Sequence, residues 1–515
     1  MALNDVTFNL GQGGLGRPLP GQDHISAMLF YTGTLPSGFS STDRIKKVFS
    51  LEEAEDLGIL GDFSDETKAT ATYTVTTAGT AGETVELKVL EPKGYKSLGV
   101  ATIPSSATTT TSAAAIADII NQGTYLHGYS AVAAVAVVTI TARPGLGVFL
   151  NTGTPLVSVI TGVGGSPTHA GTIAQFGVSA LVDGVASLQA TWHYHISEYF
   201  RIQPQGVLYI GMYAVPSTYD FAELATMQQF ANGEIRQAFA LCDALAYTSG
   251  NAAIQAAQAV CNTLFTNHMP LSSVLLTFNY TAATLSALTT LSGLNSKNVS
   301  VVLSQDGDAQ GFGLFKATGK TISNGGACLG TVSLAKVSED IAWIGKFNIS
   351  DGTENNVAAF VNGALVSSQS TSLLNNLNTY RYVFAIKKVG YEGTFWNDSH
   401  TCILQNSDYA YIENNRTIDK SVRNLYVNYL PDLNGPLVVN SNGTLKDTDI
   451  AKFETKGNET LDQMERDEEI SAKKVVVDPK QNVLTNSEFV VTVDLVPVGV
   501  ARNIKVNIGY KLSIQ

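Results

Sequence analysis

Two short stretches near opposite ends of the chain alternate apolar and polar residues with a period of two. Val6, Phe8 and Leu10 are interleaved with Thr7 and Asn9, and Ile504, Val506, Ile508, Tyr510 and Leu512 with Lys505, Asn507, Gly509 and Lys511. Successive side chains of a strand point to opposite faces, so both stretches predict two-sided strands. The first runs into Gly11-Gln-Gly-Gly-Leu-Gly-Arg-Pro-Leu-Pro. Gly11, Gly13, Gly14 and Gly16 make that segment a hinge rather than a tight turn. A strand on such a tether has no fixed partner in its own domain. Its unpaired N–H and C=O groups call for an open sheet edge, including one on another subunit.

Between the ends the pattern changes twice. Ser50-Leu-Glu-Glu has the spacing of a capping box, with Glu53 placed to reach back to Ser50, and Leu51, Ala54 and Leu57 follow at helical spacing up to Gly58. From 68 onward the runs Ala71-Thr-Tyr-Thr-Val-Thr, Thr84-Val-Glu-Leu-Lys-Val-Leu and Ala134-Val-Ala-Val-Val-Thr-Ile-Thr read as strands, with one short helix over 113–121. A helix over 186–200 then precedes a buried strand at 207–215. Further strands are predicted at 235–241, 273–278 and 299–304. A helix carries Ile254, Ala257, Cys261, Leu264 and Phe265 on one face, and a later one carries Ile418, Val422, Leu425, Tyr426 and Tyr429. Apolar strands alternating with helices imply a largely buried α/β sheet. The Thr-rich segment therefore interrupts a larger core.

Charge sharpens these divisions. Ten charged residues lie between Lys68 and Ala190, against 29 between Thr401 and Gln515. The 515 residues are 44% hydrophobic and 15% charged, which excludes a disordered chain. A net charge of −12 argues against a nucleic-acid coat. Cys242, Cys261, Cys328 and Cys402 have no paired spacing and read as buried, reduced thiols. No signal peptide is recognisable at the start, and no apolar run exceeds about a dozen residues, short of a bilayer span.

Chemical motifs are sparse. Gly11-x-Gly13-x-x-Gly16 has the letters of a dinucleotide fingerprint, but Arg17-Pro-Leu-Pro follows where a helix must open. His193-x-His195 lacks a third metal ligand and reads equally well as part of a packed helix. Asp306-Gly-Asp308 lacks the remaining ligands of a calcium loop and reads as a polar turn. Asn397-Asp-Ser-His400 spells a hydrolase triad, yet neighbours in sequence rarely meet in that geometry. The acidic run Asp462-Gln-Met-Glu-Arg-Asp-Glu-Glu469 is either a solvated face or a contact matched to a partner's charge. No catalytic, metal or cofactor site is expected. The rival readings are an α/β enzyme with a β insertion, centred on Asp306 or His193, and a passive adhesin-like surface protein.

The residues resemble a known family: the contractile tail sheath proteins of myophages and contractile injection systems. The matching stretches are Val6-Thr-Phe-Asn-Leu-Gly-Gln-Gly-Gly-Leu-Gly-Arg, Phe49-Ser-Leu-Glu-Glu-Ala-Glu-Asp-Leu-Gly-Ile and Tyr194-His-Ile-Ser-Glu-Tyr-Phe-Arg-Ile-Gln-Pro. Others are Gly393-Thr-Phe-Trp-Asn-Asp-Ser-His-Thr, Asn415-Arg-Thr-Ile-Asp-Lys-Ser-Val and Val496-Pro-Val-Gly-Val-Ala. Their order along the chain is more specific than any one of them. The resemblance implies a multidomain α+β or α/β fold: an α/β core (21–65 and 176–395), an outward-facing, mostly-β insertion (66–175), a C-terminal tube-proximal domain (396–502), and arms at 1–20 and 503–515. It implies a non-enzymatic subunit that stacks in hexameric rings, forming a helical sheath that contracts to drive a tube through an envelope. The expected partners are further copies of the chain, an inner tail tube protein, and baseplate and terminator or cap proteins. Neither nucleic acid nor membrane insertion is expected. Assembly would occur in the cytoplasm of the producing bacterium, before incorporation into a virion tail or injection particle. Glu465, Asp467, Glu468 and Glu469, within the stretch 449–469, are the candidate tube-facing residues.

Overall fold

The computed structural model describes residues 22–177, 184–486 and 488–510. Val6, Phe8, Leu10, the glycines at 11, 13, 14 and 16, and Leu512 lie outside the described residues. The chain begins with strands β1 (Ile25–Tyr31) and β2 (Ile45–Val48) and a short helix α1 (Leu51–Asp56). The Ser50 hydroxyl accepts the Glu53 N–H, as the capping pattern predicts. The Glu53 carboxylate instead accepts from the Phe49 N–H, one residue earlier than expected. Gly58, at φ +82°, ends the turn with its N–H on the Glu55 carbonyl.

The next elements are strands β3 (Thr70–Thr77), β4 (Thr84–Glu91) and β5 (Gly94–Thr102), and helix α2 (Thr109–Gln122). Strands β6 (Ser130–Ala134), β7 (Val137–Thr141), β8 (Leu156–Thr161) and β9 (Ala170–Ala174) follow. They form two sheets, ordered β6-β7-β3-β9 and β5-β4-β8. Alternation is strict where a strand is buried on one side: Ala71, Tyr73 and Val75 of β3 and Val85, Leu87 and Val89 of β4 enter one core with Ile116 and Ile120 of α2. This core holds residues 69–176 and is separate from the main one.

Two side-chain amides close the open margins of these sheets. Asn121 donates from Nδ2 to the Ala131 carbonyl and accepts the Ala131 N–H at Oδ1, both at 2.8 Å. Gln175 does the same for Leu156 at 2.7 and 2.8 Å. Each carboxamide thus occupies a place where another strand would otherwise pair, which protects an edge with no charged residue of its own. Asn121→Ala should cost about 1 kcal/mol. Hydrogen exchange should show faster exchange of the Ala131 amide, with amides of the main core unaffected.

At the neck, Thr67 and Val185 exchange backbone hydrogen bonds at 2.8 and 3.2 Å. The Glu66 carboxylate accepts the N–H groups of Gly145 and Gly147, and the Asp65 carboxylate accepts those of Leu188 and Gln189. Asp65 therefore caps helix α3 (Leu188–Ile202) across the neck, together with the Ser187 hydroxyl.

The main sheet is completed by β10 (Val207–Tyr213), β11 (Gln237–Ala246), β12 (Ser273–Asn279), β13 (Val299–Val302) and β14 (Tyr382–Val383). Its order is β14-β13-β12-β11-β1-β10-β2, and only the β2 pairing is antiparallel. The strand expected over 299–304 breaks at Leu303, whose N–H bonds Val383 while Ser304 starts a separate ribbon with Phe360. Helix α4 (Gly250–Thr266) buries Ile254, Ala257, Cys261 and Leu264, but leaves Phe265 exposed. Helix α5 (Gly325–Leu334) is buried along nearly its whole length and lies against α3. The contact requires glycine: a Cβ at Gly326 would sit 2.1 Å from the His195 carbonyl oxygen. All four cysteines are buried free thiols.

Helix α6 (Ile412–Tyr429) follows, then α7 (Asp447–Arg466) and an antiparallel pair, β15 (Ile470–Val477) and β16 (Val491–Pro497). Trp396, Cys402 and Ile412 still belong to the main core, so the body continues past the boundary expected at 396. The architecture is a mixed α/β fold with several sheets. Among the described residues no helix is long and apolar enough to cross a membrane.

Candidate functional site

The residues with the letters of catalysis are structural. His195 lies on α3, fully buried against Phe30 and Phe239, and burial pushes its imidazole down to about 3. His193 points elsewhere and pairs with Glu55 at 2.7 Å. Asp306 accepts the backbone N–H groups of Asp308, Ala309, Phe312 and Asn355, the arrangement of a polar turn. Exposed Asp308 pairs with Lys93 at 3.2 Å. Ser399 donates to Glu413 at 2.6 Å, while His400 bonds Asn378, so no nucleophile–base pair forms in Asn397–His400. Among the described residues no group of three His, Cys, Asp or Glu side chains could hold a metal.

What remains is a set of unpartnered backbone at the C-terminal end. Strands β15 and β16 form a sheet of two, with no third strand among the described residues. One face is covered by α7, through Leu461 and Met464 against Ile470 and Val475, with Val493 and Leu495 alongside. A two-stranded ribbon is marginal alone, and both of its outer edges offer unpaired N–H and C=O groups.

The chain beyond β16 has the complementary character. Residues 498–510 form no strand or helix. Ile504, Val506, Ile508 and Tyr510 are 82, 79, 96 and 109% exposed. Apolar side chains held this far into water, at alternate positions, suit a strand that has yet to find its sheet. Among the described residues, 503–510 form no strand in the isolated chain, and the rest of the strand expected over 503–512 lies outside them.

Arg502 fastens the root of this tail. Its Nε lies 2.9 Å from Asp398 Oδ1, and its Nη2 contacts Asp340 at 3.1 Å, Ser399 Oγ at 3.3 Å and the Glu413 carboxylate. Its guanidinium also lies 3.5 Å from the centre of the Tyr411 ring. Three carboxylates share one cation in a largely dry socket. Burial, with Glu413 and Asp398 nearby, raises the Asp340 carboxyl, and burial also raises Glu413.

The root of the other chain end is held by charge too. The Asp23 carboxylate pairs with Lys420 at 2.7 Å and Arg423 at 2.9 Å, and its carbonyl accepts from Arg416 at 3.3 Å. Burial opposes ionisation of Asp23, but Lys420, Arg423 and Arg416 outweigh it and hold the carboxyl below its ordinary range.

The acidic run separates into different environments. Asp462, Glu465 and Arg466 lie on α7 itself, and Glu465 pairs with Lys473 at 2.6 Å. Asp467 caps the helix and accepts from Gln463, and Glu468 is exposed at φ +60°. Glu469, expected to face a partner, instead turns inward: it is buried and pairs with Lys420 at 2.6 Å. Lys420, on α6, reaches only its Oε1; Oε2 is buried without a hydrogen-bond partner among the described residues.

The model for "DUF2586, N-terminal domain" matches residues 3–400, and that for "DUF2586, C-terminal domain" matches 408–515. No curated protein matches the chain. Similar solved structures include the anti-feeding prophage helical sheath in the contracted state, at 14% identity over 63% of this chain and 83% of that one, with a TM-score of 0.44. Another is the PVC sheath complex of an extracellular contractile injection system, also contracted: 12% identity, 62% and 81% coverage, TM-score 0.42. The sheath tail protein from Desulfitobacterium hafniense is similar at 10% identity over 96% of this chain and all of that one, with a TM-score of 0.35. With its two models matching nearly end to end, the chain belongs to the DUF2586 family.

Proposed function

We propose that the chain is the repeating subunit of a contractile sheath, in which terminal arms of one copy add strands to the β15–β16 ribbon of others. The observation that carries this reading is a two-edged ribbon in the same molecule as an exposed, alternating tail. Residues 5–10 would supply the second added strand. A strand making five backbone hydrogen bonds contributes about 2.5–7.5 kcal/mol, enough to hold a lattice when repeated at every subunit. Rings of six copies stack around an inner tube, and baseplate and cap proteins close the ends. Contraction needs no fuel: if the shorter lattice buries about 500 Å² more apolar surface per copy, the gross gain is about 12 kcal/mol. The insertion at 66–175 faces outward, and exposed acids at the end of α7 and just beyond it, Glu465 and Glu468 among them, face the tube.

The test is removal of residues 504–515. The full chain should form tubes by negative-stain microscopy, while the shortened chain should stay dispersed with an unchanged melting curve. Tubes formed equally well by the shortened chain would overturn the arm reading.

A further inference from the structure

One face of α6 changes character along its length. Arg416, Asp419 and Arg423 lie on it at three- and four-residue spacing, and Tyr426, Val427 and Leu430 continue it past Arg423. The first part lies under the body, where Arg416 and Asp419 are buried. The second part runs on into solvent. Val427 and Leu430 are 68 and 48% exposed, and Leu433, just beyond, is 69% exposed. Leu425 and Tyr429 serve the packing against α7 instead. The face thus stays apolar where the body ends, with no cover among the described residues.

The start of the chain emerges beside it. The Asp23 carboxylate pairs with Arg423, one turn before Val427. A line of contacts from Gln22 leads to the same place. Gln22 Oε1 accepts from Arg236, Arg236 donates to the Gly233 carbonyl, Gly233 packs against Met269, and His268 stacks on Tyr426 with ring centres 4.1 Å apart. The residues before Gln22 lie outside the described ones, and they read Arg17-Pro-Leu-Pro-Gly21. Leu19 is four residues from Asp23, a reach of about 13 Å, and Arg423 to Leu430 spans about 10 Å of helix. Pro18 and Pro20 fix their own φ and hold Arg17 and Leu19 extended, so the segment loses little freedom on docking. Extended proline segments bind aromatic and apolar surfaces.

We propose that residues 17–21 lie across Tyr426, Val427 and Leu430 of the same chain, so that the proline half of the N-terminal segment is an anchor and only the glycine half, at 11–16, swings. The docking needs no neighbouring copy. Its use, aiming residues 5–10 at another copy's ribbon from a fixed point, rests on the sheath reading.

The experiment is disulfide trapping in the full chain, with Leu19→Cys combined with Val427→Cys. The four native thiols are buried and do not compete. Mild oxidation should join the pair within one chain, read as a linked peptide pair from protein of monomer mass. It should do so about tenfold or more faster than Leu19→Cys combined with Val132→Cys, an exposed position of the insertion. Adding Leu430→Asp should remove that advantage. A rate equal to the Val132 control overturns the proposal, as does an advantage that survives Leu430→Asp. A bond that forms only between two chains also overturns it and gives the surface to a second copy. If the Val427→Cys chain fails to fold by circular dichroism, Leu430→Cys takes its place, with Val427→Asp as the added change. Trapping is read within single chains, so a native chain that forms no tubes defeats the sheath assignment and leaves this result standing.

Discussion

Arg502→Ala should destabilise the chain by about 3–5 kcal/mol at pH 8, and by much less at pH 5. The variant leaves Asp340, Asp398 and Glu413 facing one another with no guanidinium between them. Asp340 and Glu413 are already raised above their ordinary values in the native fold. For a carboxyl raised on folding, the folded chain holds the proton more tightly than the unfolded one. Its contribution is complete below the unfolded value near 4, and is lost as pH rises through the folded value. Without Arg502 the folded values move higher still, so the loss deepens and extends upward in pH. Urea denaturation of both proteins at pH 5 and pH 8 measures it. A penalty equal at the two pH values would show that the socket is not the source.

Arg416→Ala is expected to cost a comparable amount, about 3–5 kcal/mol, with little dependence on pH between 5 and 8. Arg416 is fully enclosed, and it donates to the carbonyls of Ala335, Lys336 and Asp23. Alanine would leave a cavity of several methylenes and strip the Ala335 carbonyl of its donor, while the carbonyls of Lys336 and Asp23 would keep the Glu339 N–H and Gln237 Nε2. Burial lowers this guanidinium only to about 10, so it stays charged across the range. Thermal melting at several pH values separates it from the Arg502 variant by the slope rather than by the size of the loss. Arg416→Met, which restores volume without donors, should recover only the part due to the cavity.

The sequence made some of this legible. Continuous apolar runs such as Val207-Leu-Tyr-Ile-Gly-Met mark buried parallel strands, since a strand covered on both faces needs no polar side. Alternation gave the strands that flank Tyr73 and Leu87, because those sheets bury one face each. The same period of two marks Ile504 to Tyr510, whose apolar side chains are exposed in the isolated chain and form no strand there. Buried charge was not legible. Glu413, Arg416 and Glu469 look like ordinary surface residues of a charged C-terminal third, and only their long-range partners make them interior. Glu469 misled for that reason: its partner Lys420 lies 49 positions away, with no local signal linking them. Nor does a pattern of hydrophobicity reveal that Asn121 and Gln175 stand in for missing strands, since an amide on a loop and an amide on a seam read alike.

The paired residues Thr67 and Val185 have a consequence for the history of this chain. Opposed residues of an antiparallel pair lie only about 5 Å apart. Whatever genetic exchange places between those two positions needs only neighbouring ends of its own to be spliced in, and the strand order beneath it is untouched. A cassette can thus be gained or lost at that point while the sheet below keeps its geometry.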